Sequence, residues 1–201
     1  MVSTTAGTNT KGDRTRQRLL EIAVGRFAVD GYRRTSVSDI ARDADLTPAA
    51  VYAYFAGKEA LFQAAVDADA SALIEDSRTE VEDLPTREGV GAMVPVLMRR
   101  VVDHPLAKRV LLGKEPEVIG RLLDLPSLRR LTDDVTAQIE IAQADGEVRP
   151  DIDARLTAEG LESMVISVLM SSLQAGVSAD SRRAVAARAV LDAALRPLGG
   201  T

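Results

Sequence analysis

The sequence predicts an all-α protein in two parts, a small N-terminal three-helix domain followed by a larger C-terminal helical domain. Three observations lead there. Apolar residues recur at three- and four-residue spacing, and no stretch alternates with the period of two that marks a half-buried strand. All six aromatic residues (Phe27, Tyr32, Tyr52, Tyr54, Phe55 and Phe62) fall between positions 27 and 62, so the last 139 residues contain none. Charge divides at nearly the same place. Residues 1–60 hold 9 basic and 7 acidic side chains, whereas residues 61–201 hold 16 and 23, within a net charge of −5.

Composition narrows the classes further. A hydrophobic share of 46% is enough to build a core and argues against a mainly disordered chain. The absence of cysteine excludes disulfides and thiolate metal sites and fits a cytoplasmic location. No uninterrupted apolar run reaches the length of about 20 residues that spans a bilayer, so no membrane role is expected. The opening "MVSTTAGTNTKGDRTR" lacks the apolar centre of a signal peptide, and residues 1–13 are expected to form a disordered polar arm.

The first helix is expected from Arg14 to Asp30, with Leu19, Leu20, Ala23, Val24, Phe27 and Ala28 on its apolar side. Asp13 is the expected N-cap, and Gly31 suits the left-handed turn that ends a helix. A second helix opens at Ser36, where "SVSD" forms a capping box with Asp39 in place of the preferred Glu; Val37, Ile40, Ala41 and Ala44 form its buried stripe. In "RDADLTP" one helix stops and another starts. Thr47 can cap the new one, and Pro48 at its first position lacks an amide hydrogen that would be orphaned anyway. That short helix should end near Phe55, and a longer one should begin near Lys58. Beyond Pro85 the helical pattern is interrupted at Pro95, Pro105, Pro116, Pro126 and Pro150, with "GEVRPDID" (146–153) as a turn. Two final helices are expected, roughly Asp153 to Ala175 and Ser181 to Leu195, separated by "GVSAD".

The segment "TSVSDIARDADLTPAAVYAYF" (35–55) carries the chemistry. At 100° per residue, Val51 and Phe55 share the buried side of the helix after Thr47. Ala49, Ala50 and Ala53 form a slim opposite face that can enter a major groove about 12 Å wide. Tyr52 and Tyr54 flank it, placed to reach phosphates on the groove walls. The helix start at Thr47 and Pro48, with Thr35, Ser36 and Lys58, offers hydroxyls, free amides and a cation to phosphate. Ser38 and Arg42 are candidates for base contacts, which alanines cannot make by hydrogen bonding. Arg14, Arg16, Arg33 and Arg34 are candidates for phosphate. The competing reading is two core helices with ordinary caps and solvated surface charges.

The string "GYRRTSVSDIARDADLTPAAVYAYFAGKEALF" resembles the DNA-binding domain of the TetR family of transcriptional regulators. The shared features are a glycine closing the first helix, Thr-Ser-Val-x-x-Ile-Ala, then Val-Tyr-x-Tyr-Phe followed by Lys-Glu-x-Leu. Residues 14–62, about a quarter of the chain, carry the likeness. Three positions depart from the family pattern. Asp45 stands where Gly is usual in the turn, a position needing a left-handed backbone that Asp tolerates better than most residues. Gly57 stands where a Ser often caps, and Ala50 replaces a residue that is often Gly, Ser or Thr.

The resemblance implies a helix-turn-helix DNA-binding domain at 14–60 and an effector-binding and dimerisation domain at 61–201. It implies double-stranded DNA with a palindromic operator as one partner and a second copy of the chain as another. Function would be that of a ligand-responsive repressor. The last two helices would pair with their mates through Leu161, Val165, Val168, Leu169, Ala186, Ala189, Val190 and Ala193. Effector-pocket candidates are Met93, Leu97, Val110, Leu111, Ile119, Leu122, Met164 and Val168, each of which could instead be plain core. With no aromatic after Phe62, such a pocket cannot stack a planar molecule between rings, and methionines with aliphatic walls suit a small apolar, aliphatic effector. An enzyme is not expected. His104 is the only histidine and has no recognisable catalytic partners, no metal-ligand spacing occurs, and no cofactor is implied. A helical sensor or interaction protein without DNA binding is the remaining alternative.

Overall fold

The computed structural model describes residues 11–177 and 182–197, and among these there is no strand. Among the described residues ten α-helices follow one another: α1 (Lys11–Arg34), α2 (Val37–Asp43), α3 (Pro48–Tyr52), α4 (Lys58–Arg78), α5 (Thr86–Arg100), α6 (Pro105–Leu111), α7 (Pro116–Ile119), α8 (Pro126–Ala144), α9 (Ala154–Gln174) and α10 (Arg182–Leu195). Short 3-10 turns at Val101–Asp103 and Leu122–Asp124 precede α6 and α8. The chain divides into two compact units, Met1–Val66 and Asp67–Thr201, and the division falls inside α4.

The N-terminal unit is organised by its aromatics. Phe62 meets Phe27 edge-on at 4.9 Å between ring centroids and lies 4.9 Å from Tyr32, while Phe27 and Tyr32 stack at 6.5 Å. Leu19, Leu20, Ala23, Ile40, Ala41, Val51, Phe55 and Leu61 are buried with them. The C-terminal unit is aliphatic throughout. Val94, Leu97, Leu111, Ile139, Leu161, Leu169, Leu191 and Leu195 belong to one buried cluster, joining α5, α6, α8, α9 and α10.

Several expected boundaries shift. Helix α1 is already formed at Lys11, so Asp13 lies in its first turn and does not cap it; a carboxylate there suits the helix dipole. Residues 11–13 are thus helical, and the rest of the expected arm lies outside the described residues. Gly31, at φ 79°, ends the regular helix as expected, and Asp45 adopts φ 56° in the turn. Helix α3 is shorter than its pattern suggested, and Ala53 and Tyr54 form a turn after it.

The prolines behave in two ways. Pro95 sits inside α5 and interrupts nothing, whereas Pro105, Pro116 and Pro126 each open a helix. The first position is where a missing N–H costs least. Asp153 caps α9 by accepting the Leu156 N–H at 2.8 Å. The expected start of the last helix at Ser181 and part of the "GVSAD" linker lie outside the described residues.

Helix α9 is the one described helix that bears on the membrane expectation. It is long and apolar enough to cross a bilayer by length and composition, and only 22% of its apolar window is buried within the chain. The core helix of a soluble protein meets the same test, so α9 by itself assigns no membrane role.

Candidate functional site

The two short helices of the N-terminal unit are set by local chemistry. Ser36 Oγ accepts the Asp39 N–H at 3.1 Å and donates its own hydrogen to Asp39 Oδ2 at 2.6 Å, so the capping pair closes side chain to side chain. Thr47 Oγ1 accepts the Ala50 N–H at 3.2 Å, and Pro48 follows it. Between them, Ala44 N–H bonds back to α2 and Leu46 N–H reaches Ala41 O at 2.9 Å, which makes the turn tight.

The outer face of α3 is assembled as its spacing suggested. Val51 is buried in the first turn and Phe55 just beyond the helix, while Thr47, Pro48 and Ala49 are exposed and Ala50 is half-buried. Tyr52 is 54% exposed and Tyr54 half-buried. Ser36, Ser38 and Arg42 are exposed on or beside α2. Thr35 is not on this surface. It is 3% exposed, and its hydroxyl donates to Gly31 O at 2.9 Å, satisfying a carbonyl left over where α1 ends. The Lys58 ammonium lies 4.4 Å from the Tyr32 ring centroid and donates to Arg33 O at 3.4 Å, which holds that cation against the end of α1.

Electrostatics here were invisible in the one-dimensional pattern. Helix α2 and its turn carry three carboxylates, and an arginine meets each. Arg42 bonds Asp39 at 2.7 Å within the helix. Arg26 of α1 bonds Asp43, and Arg18 of α1 meets Asp45 at 3.2 Å. The Ser36 hydroxyl and Arg42 hold the Asp39 carboxyl below the usual range, and Arg26 does the same for Asp43. The Asp43 partnership in turn pushes the Arg26 guanidinium upward. Arg16 adds a cation over the Phe55 ring at 5.1 Å. Residues 17–27 positions apart make the cross-helix pairs, so no motif scan could have found them.

In the C-terminal unit the candidates separate into three sets. Leu97, Val110, Leu111 and Leu122 are buried, and Met93 and Val168 pack half-buried against the same cluster. Ile119 and Met164 are more open to solvent, at 36% and 39% exposure. Of the pairing candidates, Leu161 and Leu169 are core residues and Val165 packs on the core, so they are not on the outward side of α9. The exposed residues of α9 are Leu156, Gly160, Ser163, Met164, Ser167 and Ser171, together with Arg155, Glu159 and Gln174. On α10, Ala186, Ala189, Val190 and Ala193 are exposed, while Leu191 and Leu195 are buried.

The lone histidine has a structural position. His104 is buried where the 3-10 turn meets α6, with Nδ1 3.5 Å from Asp69 and Nε2 3.2 Å from Asp76, both on α4. Asp69 Oδ2 accepts the N–H groups of Leu106 and Ala107 at 2.8 Å each, and Asp67 Oδ1 accepts that of Ser127 at 2.8 Å. Helix α4 therefore caps α6 and α8 from outside. Their own cap positions, His104 and Leu125, contribute no capping side chain.

Comparison with known proteins agrees with this geometry. Residues 19–65 match the family described as bacterial regulatory proteins, tetR family. The transcriptional regulator UidR of Escherichia coli (strain K12) is 25% identical over 174 residues, covering 80% of this chain and 82% of that protein. The A-factor receptor protein of Streptomyces griseus is 30% identical over 167 residues, 83% of this chain and 56% of the receptor. Among solved structures, FadR from Bacillus subtilis in complex with stearoyl-CoA shares the fold at a TM-score of 0.64, with 17% identity over 89% of this chain and 97% of its own. The RolR complex with resorcinol shares it at 0.67, with 19% identity over 92% and 89%.

Proposed function

The chain belongs to the tetR family of bacterial regulatory proteins, a DNA-binding transcriptional regulator and not an enzyme, and from that premise we propose that it is a ligand-responsive repressor binding a palindromic operator as a homodimer in the cytoplasm. DNA binding falls to residues 14–60 and effector binding with dimerisation to residues 61–201. The reading is carried by one observation, the surface of α3 and the turn after it: exposed Ala49 and half-buried Ala50 on the helix, exposed Ala53 in the turn, with exposed Tyr52 and half-buried Tyr54, and Thr47 and Lys58 at the adjoining helix starts. Alanines let the helix approach base edges and a thymine methyl, while hydroxyls and the ammonium meet phosphates. With Asp39, Asp43 and Asp45 each matched by an arginine, the carboxylates of α2 no longer oppose that approach.

Pairing is supported by the outward side of α9. Ser163 and Ser167 donate their hydroxyls to carbonyls one turn back, at 2.9 and 2.8 Å, and Ser171 donates to Val168 O at 3.1 Å. Their donors are met within the helix, so this small-residue stripe can leave water cheaply and pack closely against another helix. Exposed Ala186, Ala189, Val190 and Ala193 on α10 extend the same character. A two-fold pair would set two recognition helices about 34–36 Å apart on DNA, or a multiple of that.

The effector is placed among Met93, Leu97, Val110, Leu111, Leu122 and Val168. The aliphatic composition of this unit favours an apolar aliphatic ligand over a planar aromatic one. Such a ligand releases DNA only by binding the released conformation more tightly.

A salt series of binding to DNA from upstream of the gene, against random competitor, tests the core claim. Tight, competitor-resistant binding that weakens steeply with salt is expected. The double substitution Tyr52→Ala with Lys58→Ala should lower affinity by roughly tenfold to a hundredfold, with the fold intact by circular dichroism. Undiminished affinity in that variant would put the recognition surface elsewhere.

A further inference from the structure

One buried hydroxyl in the C-terminal unit has more acceptors than hydrogens. Thr132 Oγ1, on α8, lies 3.0 Å from Leu128 O and is also in hydrogen-bond contact with Glu162 Oε2 of α9. A threonine hydroxyl carries a single hydrogen, and a carbonyl oxygen can only accept. Were Glu162 ionised, both neighbours would be acceptors and one of the two contacts would hold no hydrogen. A protonated Glu162 satisfies both, since its O–H donates to Thr132 Oγ1 and the Thr132 hydrogen goes to Leu128 O. Glu162 Oε1 is buried and has no hydrogen-bond partner among the described residues. A neutral carbonyl oxygen tolerates that position far better than half of a carboxylate charge.

We propose that Glu162 is held as a neutral carboxylic acid that donates to Thr132, making the α8–α9 contact a proton-responsive joint. The surroundings agree. Burial pushes the Glu162 carboxyl above its ordinary value, against the smaller pulls of the Thr132 bond and Arg155, with Glu159 adding to the rise. The charge of Arg155 is already shared by Asp133 of α8 and Glu159 of its own helix, through contacts to both. The other helices that pack on α9 meet it through the apolar cluster, α5 with Val94 and Leu97, α6 with Leu111, α10 with Leu191 and Leu195. The charges that act on Glu162 are those of Arg155 and Glu159 on its own helix, while Arg99 and Arg100 of α5 pair with Glu80, Arg109 of α6 with Glu115 and Asp192 of α10 with Arg196.

The sign of the response follows from linkage. A carboxyl raised on folding stabilises fully below its unfolded value, about 4.3, and that stability is lost as pH rises through the folded value. Above that point Thr132 must choose between two acceptors, and the α8–α9 packing loosens. The test is a carbon-13 carboxyl titration of the full-length protein with labelled glutamate, Glu162 being assigned by the signal lost in Glu162→Gln. The expected midpoint lies above those of the other glutamates. The folding equilibrium constant should fall with rising pH by up to tenfold per pH unit across that window, and the Gln variant, whose amide can still donate to Thr132, should lose this slope. An infrared band of a protonated carboxyl that persists in the unmodified protein at pH values where the other glutamates are ionised gives the same answer should the variant not fold. A Glu162 midpoint at or below the other glutamates, or an unchanged pH slope in the Gln variant, overturns the proposal. Both readouts belong to the single chain, so they stand apart from DNA binding and pairing.

Discussion

The two units differ in how they cap their helices, although Asp153 gives α9 a local cap of the N-terminal kind. In the N-terminal unit the caps are local. Ser36 and Thr47 satisfy amides three residues ahead, and a glycine closes α1. In the C-terminal unit the ends of α6 and α8 are capped by Asp69 and Asp67, which lie 37 to 60 residues earlier on α4. Their cores differ in parallel, aromatic rings against aliphatic side chains. A short unit with few residues gains much burial from each large ring. A longer unit can reach the same end with many small contributions. A helix-turn-helix therefore carries its instructions within a few residues of each feature, while the larger domain depends on contacts between distant segments.

Breaking the aromatic core should have the largest effect. Phe62→Ala removes a ring that is 1% exposed and packed on both Phe27 and Tyr32, and should cost about 3–5 kcal/mol in urea unfolding. Domain-resolved hydrogen exchange should show protection lost first in α1 to α3. Uniform loss through α8 and α9 would mean that the two cores are not separable.

The capping contrast is sharpened by a matched pair of substitutions. Asp69→Ala leaves two buried amides unsatisfied and should cost about 2–3 kcal/mol, against about 1 kcal/mol for Ser36→Ala at an exposed local cap. Chemical denaturation of both variants measures the difference. Equal costs would show that water replaces Asp69 at the start of α6.

Acid gives the smallest effect. Asp39 and Asp43 are held below their ordinary value of about 3.9, so their contribution is present above it and fades as pH falls through the lowered values. Both are substantially solvent-exposed, and screening keeps the contribution slight. Asp43→Asn should therefore shift the acid-unfolding midpoint only marginally. A large shift would assign the Arg26 pair a structural weight that its exposure argues against.

Much of the N-terminal unit was legible in one dimension. Ser36, Thr47, Pro48, Gly31 and Asp45 act through their own backbone or that of the next turn, and residue type alone reports such chemistry. The alanine face of α3 follows from helical geometry in the same way. Thr35 misled because its position beside Ser36 implies exposure, whereas the chain entry after Gly31 turns it inward. The outward side of α9 was misread for a related reason. Leu161 and Leu169 face the intrachain core, and the outward side carries Leu156 and Met164 together with Gly160 and three serines whose hydroxyls are already bonded.

By itself, then, the sequence determined the helical class, the aromatic boundary near residue 62, and the caps and turn of the DNA-binding element, because each depends on residue identity and spacing of a few positions. Only the tertiary structure decided which face of α9 looks outward, which arginine meets which carboxylate on α2, that α4 caps α6 and α8, and that Glu162 shares a hydroxyl with Thr132. Those outcomes depend on segments brought together across tens of residues, where a side chain's partner is set by packing and no local pattern encodes it.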